Sequence, residues 1–372
     1  LWGTVLRGLP FEEAEQLVHF ERANPSGGQS SLAVTPHDYL AWREAQTSFE
    51  DLGAYVEAVA LVPSEGAPPE RYLGVNISAN SFPLLRVQPA LGRGFSTADE
   101  QPGATPVVML SHNLWVSRFG SDATLIGAEV PINGRPTTVV GIMPEKFGFP
   151  IAEQFWMPLR IDLTTLERGA GRLDVFGRLR DGVTIERARA EFEGITGRLS
   201  DAYPASNAGI VASLQSFTEE YVGTEFIQTV YGMLVGALLV LFVCCANVAN
   251  LLLIRGAQRR RALAVRMSLG ATHGHLVRQL MAEALALALL GAGIGIGIAA
   301  YGVQWFDRAG SQAGVFALPH GSDSLFWWDV SLNAPTLAAV ICVTGLTTLL
   351  SGLLPALRVS RSISALQRER SD

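Results

Sequence analysis

The residue types that could do chemistry in this 372-residue chain are few and far apart. Ser111-His112 offers a nucleophile beside a base, but the acids that would complete a hydrolytic triad are scattered and form no set with it on one predicted element. His273 and His275 are metal-ligand types. Two residues apart on a helix they face different ways, with no third ligand nearby, so they read as solvated surface histidines. Gly92-Arg93-Gly94 lacks the strand, third glycine and helix of a dinucleotide site, and no Walker-type phosphate loop occurs elsewhere. Cys244, Cys245 and Cys342 fall in apolar stretches and read as small packing residues rather than a redox set. The sequence therefore points to no catalytic residue, no cofactor and no metal ligand. A mechanism must be conformational or come from a partner.

What remains is a dense run of guanidinium groups, Arg255, Arg259, Arg260, Arg261 and Arg266, between two apolar stretches. Residues 231–254 carry no charge, and 280–305 are apolar again apart from Glu283. A bilayer core of about 30 Å needs about 20 apolar residues in a helix, and both stretches reach that length. An arginine near the bilayer centre costs about 2.5 to 3.5 kcal/mol on insertion scales, while each central Leu, Ile, Phe or Val returns only about 0.3 to 0.6. The arginines must therefore lie outside the bilayer and end the spans. A third apolar stretch, 335–357, is followed by Arg358, Arg361, Arg368 and Arg370.

The composition agrees: 48% hydrophobic and 17% charged residues fit neither a disordered chain nor an ordinary soluble enzyme. Residues 1–230 hold seventeen basic against twenty-eight acidic residues, net −11, and residues 231–372 hold eleven against six, net +5. This is an acidic domain in water followed by a basic-edged membrane domain, and the acidic part offers no patch for nucleic acid. Arginine-rich segments 255–278 and 358–370 belong in the cytoplasm by the positive-inside rule, and the acidic loop 307–333, with Trp327 and Trp328 as interface anchors, belongs outside. An odd number of spans then places residues 1–230 outside the cell (inner or plasma) membrane as well. No charged-then-apolar signal segment opens the chain, so a further span just before Leu1 is expected, for a total of four.

Within the spans, Asn247 and Asn250 share a face and read as interhelical hydrogen-bond glue, and Glu283 should point into the bundle or snorkel toward water. Gly291, Gly293, Gly295 and Gly297 make a smooth face for close helix approach.

Ahead of the spans, residues 1–216 read as an α+β extracytoplasmic domain of two lobes, joined to the membrane by a stalk helix over 217–230. Thr35, Pro36 and Asp38 start a helix that runs to about Phe49. Strands are predicted near 53–61 and 71–77, with a loop over 63–69 between them. Further strands follow at 106–110, 128–132, 137–142, 156–159, 174–179 and 211–214. Residues 111–119 and 185–203 are helical, and Asn133-Gly134 is the strongest hairpin signal in the chain. In the membrane part, 255–269 reads as a short surface helix that Gly270 would end.

Several stretches together resemble a known family. Arg259-Arg-Arg-Ala-Leu-Ala-Val-Arg-Met-Ser-Leu-Gly-Ala271, followed by Leu276-Val-Arg-Gln-Leu280 and Glu283, resembles the cytoplasmic turn of FtsX-like permeases of ABC transporters. Residues 74–100, 107–120 and 127–144 look like the periplasmic core domain of the MacB-type branch. The resemblance implies four spans per half and a separate cytoplasmic ATPase docking on the 255–280 turn. The contact residues would be Arg259, Arg260, Arg261, Leu263, Arg266, Met267, Gly270 and Ala271. It also implies a second permease half, from a homodimer or a duplicated chain, and ATP-coupled movement of the external domain for efflux, export or mechanotransmission. The alternative is a membrane-anchored regulator whose outer domain binds an envelope partner without transport. The sequence departs from the family at Ala262, where a glutamate usually follows the basic pair.

Overall fold

In the computed structural model, residues 11–64, 66–217, 224–258, 273–313 and 334–349 are described. They fall into two compact units: one holds the strands and short helices up to residue 217, the other the long helices that follow.

The first unit is a mixed α/β domain built on one hydrogen-bonded sheet. Its strands are β1 (Leu17–Asn24), β2 (Gln29–Leu32), β3 (Phe49–Ser64), β4 (Ala67–Ile77), β5 (Leu91–Gly92), β6 (Val107–Leu110), β7 (Glu129–Ile132), β8 (Arg135–Ile142), β9 (Phe155–Pro158), β10 (Asp174–Leu179) and β11 (Val211–Ser216). The order across the sheet is β11-β1-β10-β3-β4-β9-β6-β8-β5, with β2 on β1 and β7 on β8. Pairing is antiparallel except for β4 with β9 and β6 with β8. The helices are α1 (Pro36–Ala45), α2 (Ser81–Leu84), α3 (His112–Phe119), α4 (Ile185–Ala202) and α5 (Pro204–Asn207).

Local chemistry explains most of these boundaries. The Thr35 hydroxyl accepts from Asp38 N, Ser111 from Leu114 N and Thr184 from Arg187 N, so α1, α3 and α4 each begin on a side-chain cap. Helix α1 stops at Ala45, short of the expected end, because Phe49 is drawn into β3 opposite Leu179. The stretch 63–69, expected as a loop, is largely strand: β3 and β4 form one long hairpin. Pro68 and Pro69 are tolerated there because β4 meets its second neighbour, β9, only from Gly74 onward. Strands β1 and β2 were not expected from the pattern, yet β1 lies between β10 and β11 with Leu17, Val18 and Phe20 buried.

Three apolar clusters hold the domain. Val18, Phe20, Trp42, Phe49, Phe192 and Ile195 pack α1 and α4 against the sheet. Tyr55, Phe82, Phe149, Trp156, Phe176 and Phe217 fill a second cluster with α2. Ala60, Val62, Leu110, Leu114, Ile132 and Phe155 fill a third under α3. The two lobes expected from the sequence are thus spanned by an unbroken sheet.

The Asn133-Gly134 turn joins β7 to β8 with φ of 51° and 74°. Its asparagine does more than turn the chain. The Asn133 amide donates to Val59 O at 2.9 Å and accepts from Leu61 N at 2.9 Å, and its own N–H donates to Leu61 O at 3.0 Å. The turn is thereby stitched to β3, and the strands from β3 through β8 curl around the third cluster.

The second unit contains the helices Thr224–Gln258, His273–Ala313 and Ala334–Thr348. Two stretches are long and apolar enough to cross a membrane, Tyr231–Val248 and Met281–Gly302; the third helix has a shorter apolar part, Thr336–Thr348, among the described residues. Met233, Leu239, Phe242, Ile294 and Ile298 are each more than three-fifths exposed, which calls for a lipid or protein covering.

Candidate functional site

The predicted site residues lie mainly in the membrane part. Arg259, Arg260, Arg261, Leu263, Arg266, Met267, Gly270 and Ala271 lie outside the described residues, as does Ala262. Asn247 and Asn250 are exposed on the first long helix, and Glu283 is exposed on the second. Around Gly291, Gly293, Gly295 and Gly297 no described atom comes within 4 Å of where a Cβ would stand, so this face is open. His273 and His275 fall at the start of the second long helix. Cys245 is buried, while Cys244 and Cys342 are exposed and free.

In the mixed α/β domain the chemistry-bearing residues are committed to structure. Ser111 caps α3, and the His112 ring lies edge-on to Trp115 at 5.6 Å, so the pair serves a helix terminus. Gly92 has φ +80°, and a Cβ there would stand 2.2 Å from Val140 O; this glycine permits contact with β8, not with a phosphate. Arg93 clasps Asp99 at 2.8 and 3.1 Å, which holds the Asp99 carboxyl down at about 2. Asp51 accepts two bonds from Arg43, at 2.7 and 2.6 Å, and one from Asn80 Nδ2 at 2.6 Å. Glu100 accepts from Ala79 N at 2.7 Å. The 74–100 motif is therefore a joint: its polar residues fasten α2 and the following loop to β3. Among the described residues, no group of three His, Cys, Asp or Glu side chains could hold a metal ion.

Three buried polar features were not legible in the sequence. Asp38, 1% exposed, pairs with Arg22 at 3.1 Å and accepts from Asn207 Nδ2 at 2.8 Å, while Arg168 stacks on the Tyr203 ring at 3.4 Å. Arg178 on β10 is fully buried and donates to the carbonyls of Leu84, Glu12 and Glu13. Glu153 is buried just before β9; burial, reinforced by the Glu57 charge, pushes its carboxyl up to about 8. The first two bind separate segments together, joining residues too far apart in sequence for spacing to reveal.

The class these elements define is a mixed sheet domain followed by helices that are long and apolar enough to cross a membrane. The family model described as a MacB-like periplasmic core domain matches residues 6–195, and the one described as an FtsX-like permease C-terminal domain matches residues 234–362. The chain belongs to the MacB/FtsX-type ABC permeases, and both matched domains are permease domains. It is 26% identical over 315 residues to the macrolide export ATP-binding/permease protein MacB of Chromobacterium violaceum, covering 80% of this chain and 45% of that protein. It is 22% identical over 222 residues to the probable syringafactin export ATP-binding/permease protein SyfD of Pseudomonas syringae pv. tomato, covering 56% of this chain and 31% of that one. The chain thus spans about half, or less, of the length of these relatives. Among solved structures it is similar to the periplasmic region of MacB from Actinobacillus actinomycetemcomitans, with a TM-score of 0.42, 12% identity and coverage of 57% of this chain and 94% of that one.

Proposed function

We propose that this chain is the permease subunit of an ABC-type exporter, worked by a separate cytoplasmic ATPase that docks on the arginine-rich turn 255–280. The observation that carries this reading is the order of the two matched domains in one chain, a periplasmic core domain and then an FtsX-like permease domain. In this reading residues 1–216 lie outside the membrane, 217–230 form a stalk, and 231–372 form the membrane domain with spans near 231–254, 280–305 and 335–357. A second permease half, from another copy or a duplicated chain, completes the unit, and the open glycine face 291–297 is the surface on which helices of the two halves would close.

The relatives' names join ATP binding and permease in one protein, whereas both domains matched here are permease domains. In this reading ATP hydrolysis belongs to a partner subunit. A turn of arginines beside two apolar spans suits docking, because guanidinium groups held at the membrane surface can meet an acidic groove on a cytoplasmic subunit. Movement of that turn passes along the spans to the outer domain.

The test is co-expression with a candidate ABC ATPase, measuring co-purification and ATP turnover in lipid nanodiscs, beside an Arg260→Glu, Arg261→Glu variant. Association should weaken at least tenfold in the variant, equivalent to about 1.4 kcal/mol, with loss of coupled turnover. Failure of the unaltered chain to associate with any ATPase would overturn the reading and leave a membrane-anchored regulator that binds an envelope partner.

A further inference from the structure

An open groove of about 570 Å³ crosses the mixed α/β domain, inside the size range of small-molecule sites. Its floor is a row that the sheet register brings together: Val56 on β3 stands opposite Asn76 on β4, which stands opposite Met157 on β9. Val107 and Ile132 add apolar wall. The groove is lined on its polar side by two arginines, Arg135 and Arg160, and by no acidic residue. That is the reverse of the domain's net charge of −11 over residues 1–230.

Neither guanidinium has a carboxylate partner among the described residues. Arg160 is oriented by two backbone carbonyls, donating Nε to Asp99 O at 3.1 Å and an Nη to Thr105 O at 3.1 Å. The nearby Asp99 carboxylate is itself committed to Arg93 and Ser96. Arg135 is exposed at the groove, and its side chain makes no hydrogen bond or ion pair within the described residues. The Asn76 side-chain amide likewise has no partner there, although it lies in the groove floor. The groove therefore combines an apolar bed with two uncompensated cations and a free amide. A cationic group placed against it would meet two like charges and a neutral acceptor would leave both charges uncompensated, whereas an anion satisfies the guanidinium donors with charge-assisted bonds.

We infer that this groove binds a small amphipathic anion, its apolar body on Val56 and Met157 and its carboxylate or phosphate between Arg135 and Arg160. The site lies wholly within the mixed α/β domain, so it stands independently of ATPase docking.

The full chain in nanodiscs can be tested with 4-benzoylbenzoate, a water-soluble photoreactive carboxylate. Its neutral amide and the cationic 4-(aminomethyl)benzophenone share the same apolar body. After irradiation, labelling of the peptides bearing Val56 and Met157 is mapped by mass spectrometry. The carboxylate should label them saturably, at least tenfold above the amide and the amine. Arg135→Glu alone, at a side chain with no structural bond, should cut labelling at least tenfold without shifting the melting temperature, and Arg135→Lys should restore most of it. Octanoate should displace the probe, while inorganic phosphate at equal concentration should not. Equal labelling by all three probes, or labelling unchanged in Arg135→Glu, would overturn the site. Equal displacement by phosphate would overturn its amphipathic character.

Discussion

Glu153 and Asp38 show how this domain handles buried charge, and each predicts a measurable consequence. Burial pushes the Glu153 carboxyl up to about 8 in the folded chain, against about 4.5 when unfolded. The stability tied to its protonated form is fully present below pH about 4.5 and is lost as the pH rises toward 8, on the order of a few kcal/mol in all. Glu153→Gln should therefore raise the melting temperature of the solubilised chain at pH 8 and leave it nearly unchanged at pH 4.5. An equal shift at both values would show that packing, not ionisation, decides the effect. Asp38 carries the opposite hazard, because its removal leaves Arg22, 7% exposed, without its counter-charge. Asp38→Ala should cost about 3 to 5 kcal/mol by chemical denaturation.

At the scale of elements, the asparagine turn governs whether the curled strands stay closed. Asn133→Ala removes two side-chain bonds to β3 and leaves at φ 51° a residue without the side-chain amide that makes asparagine tolerant of the left-handed region. The expected loss is about 2 to 3 kcal/mol, mostly from two bonds of about 1 kcal/mol each, with a smaller part from alanine's weaker tolerance of the left-handed region. Faster hydrogen exchange should follow at Val59 and Leu61, and unchanged exchange there would contradict the stitching role. This hairpin was legible in the sequence because Asn-Gly at two left-handed positions is a local signal, and so were α1, α3 and α4, whose caps lie within three residues of what they hold. Strand β1 was not: Leu17-Val-His-Phe20 is short and carries His19, and only its place between β10 and β11 makes it a core strand. The full length of the β3–β4 hairpin is not legible in the sequence, because Pro63, Pro68 and Pro69 signal a loop unless an unpaired strand edge is there to receive them. The groove was hidden for a stronger reason, since Val56, Asn76 and Met157 become neighbours only through the register of three strands.

Over the whole molecule, the division of charge and apolar surface is the feature that ties sequence to function. An acidic mixed α/β domain and a pair of helices with exposed faces of Met233, Leu239, Phe242 and Ile298 call for different solvents. In the proposed permease the domain and the arginine-rich turn lie on opposite sides of a bilayer. The direct measurement is labelling in spheroplasts by a membrane-impermeant maleimide. It uses the full-length protein with Cys244, Cys245 and Cys342 replaced by Ala, and a single cysteine at either Ala170 or Gln258. Ala170 is exposed in a loop of the domain, and Gln258 ends the first long helix beside the turn. Ala170→Cys should label in intact spheroplasts, and Gln258→Cys only after the membrane is permeabilised. Labelling of both positions from the outside, or of Gln258→Cys alone, would contradict the transmembrane arrangement on which the proposed permease function rests.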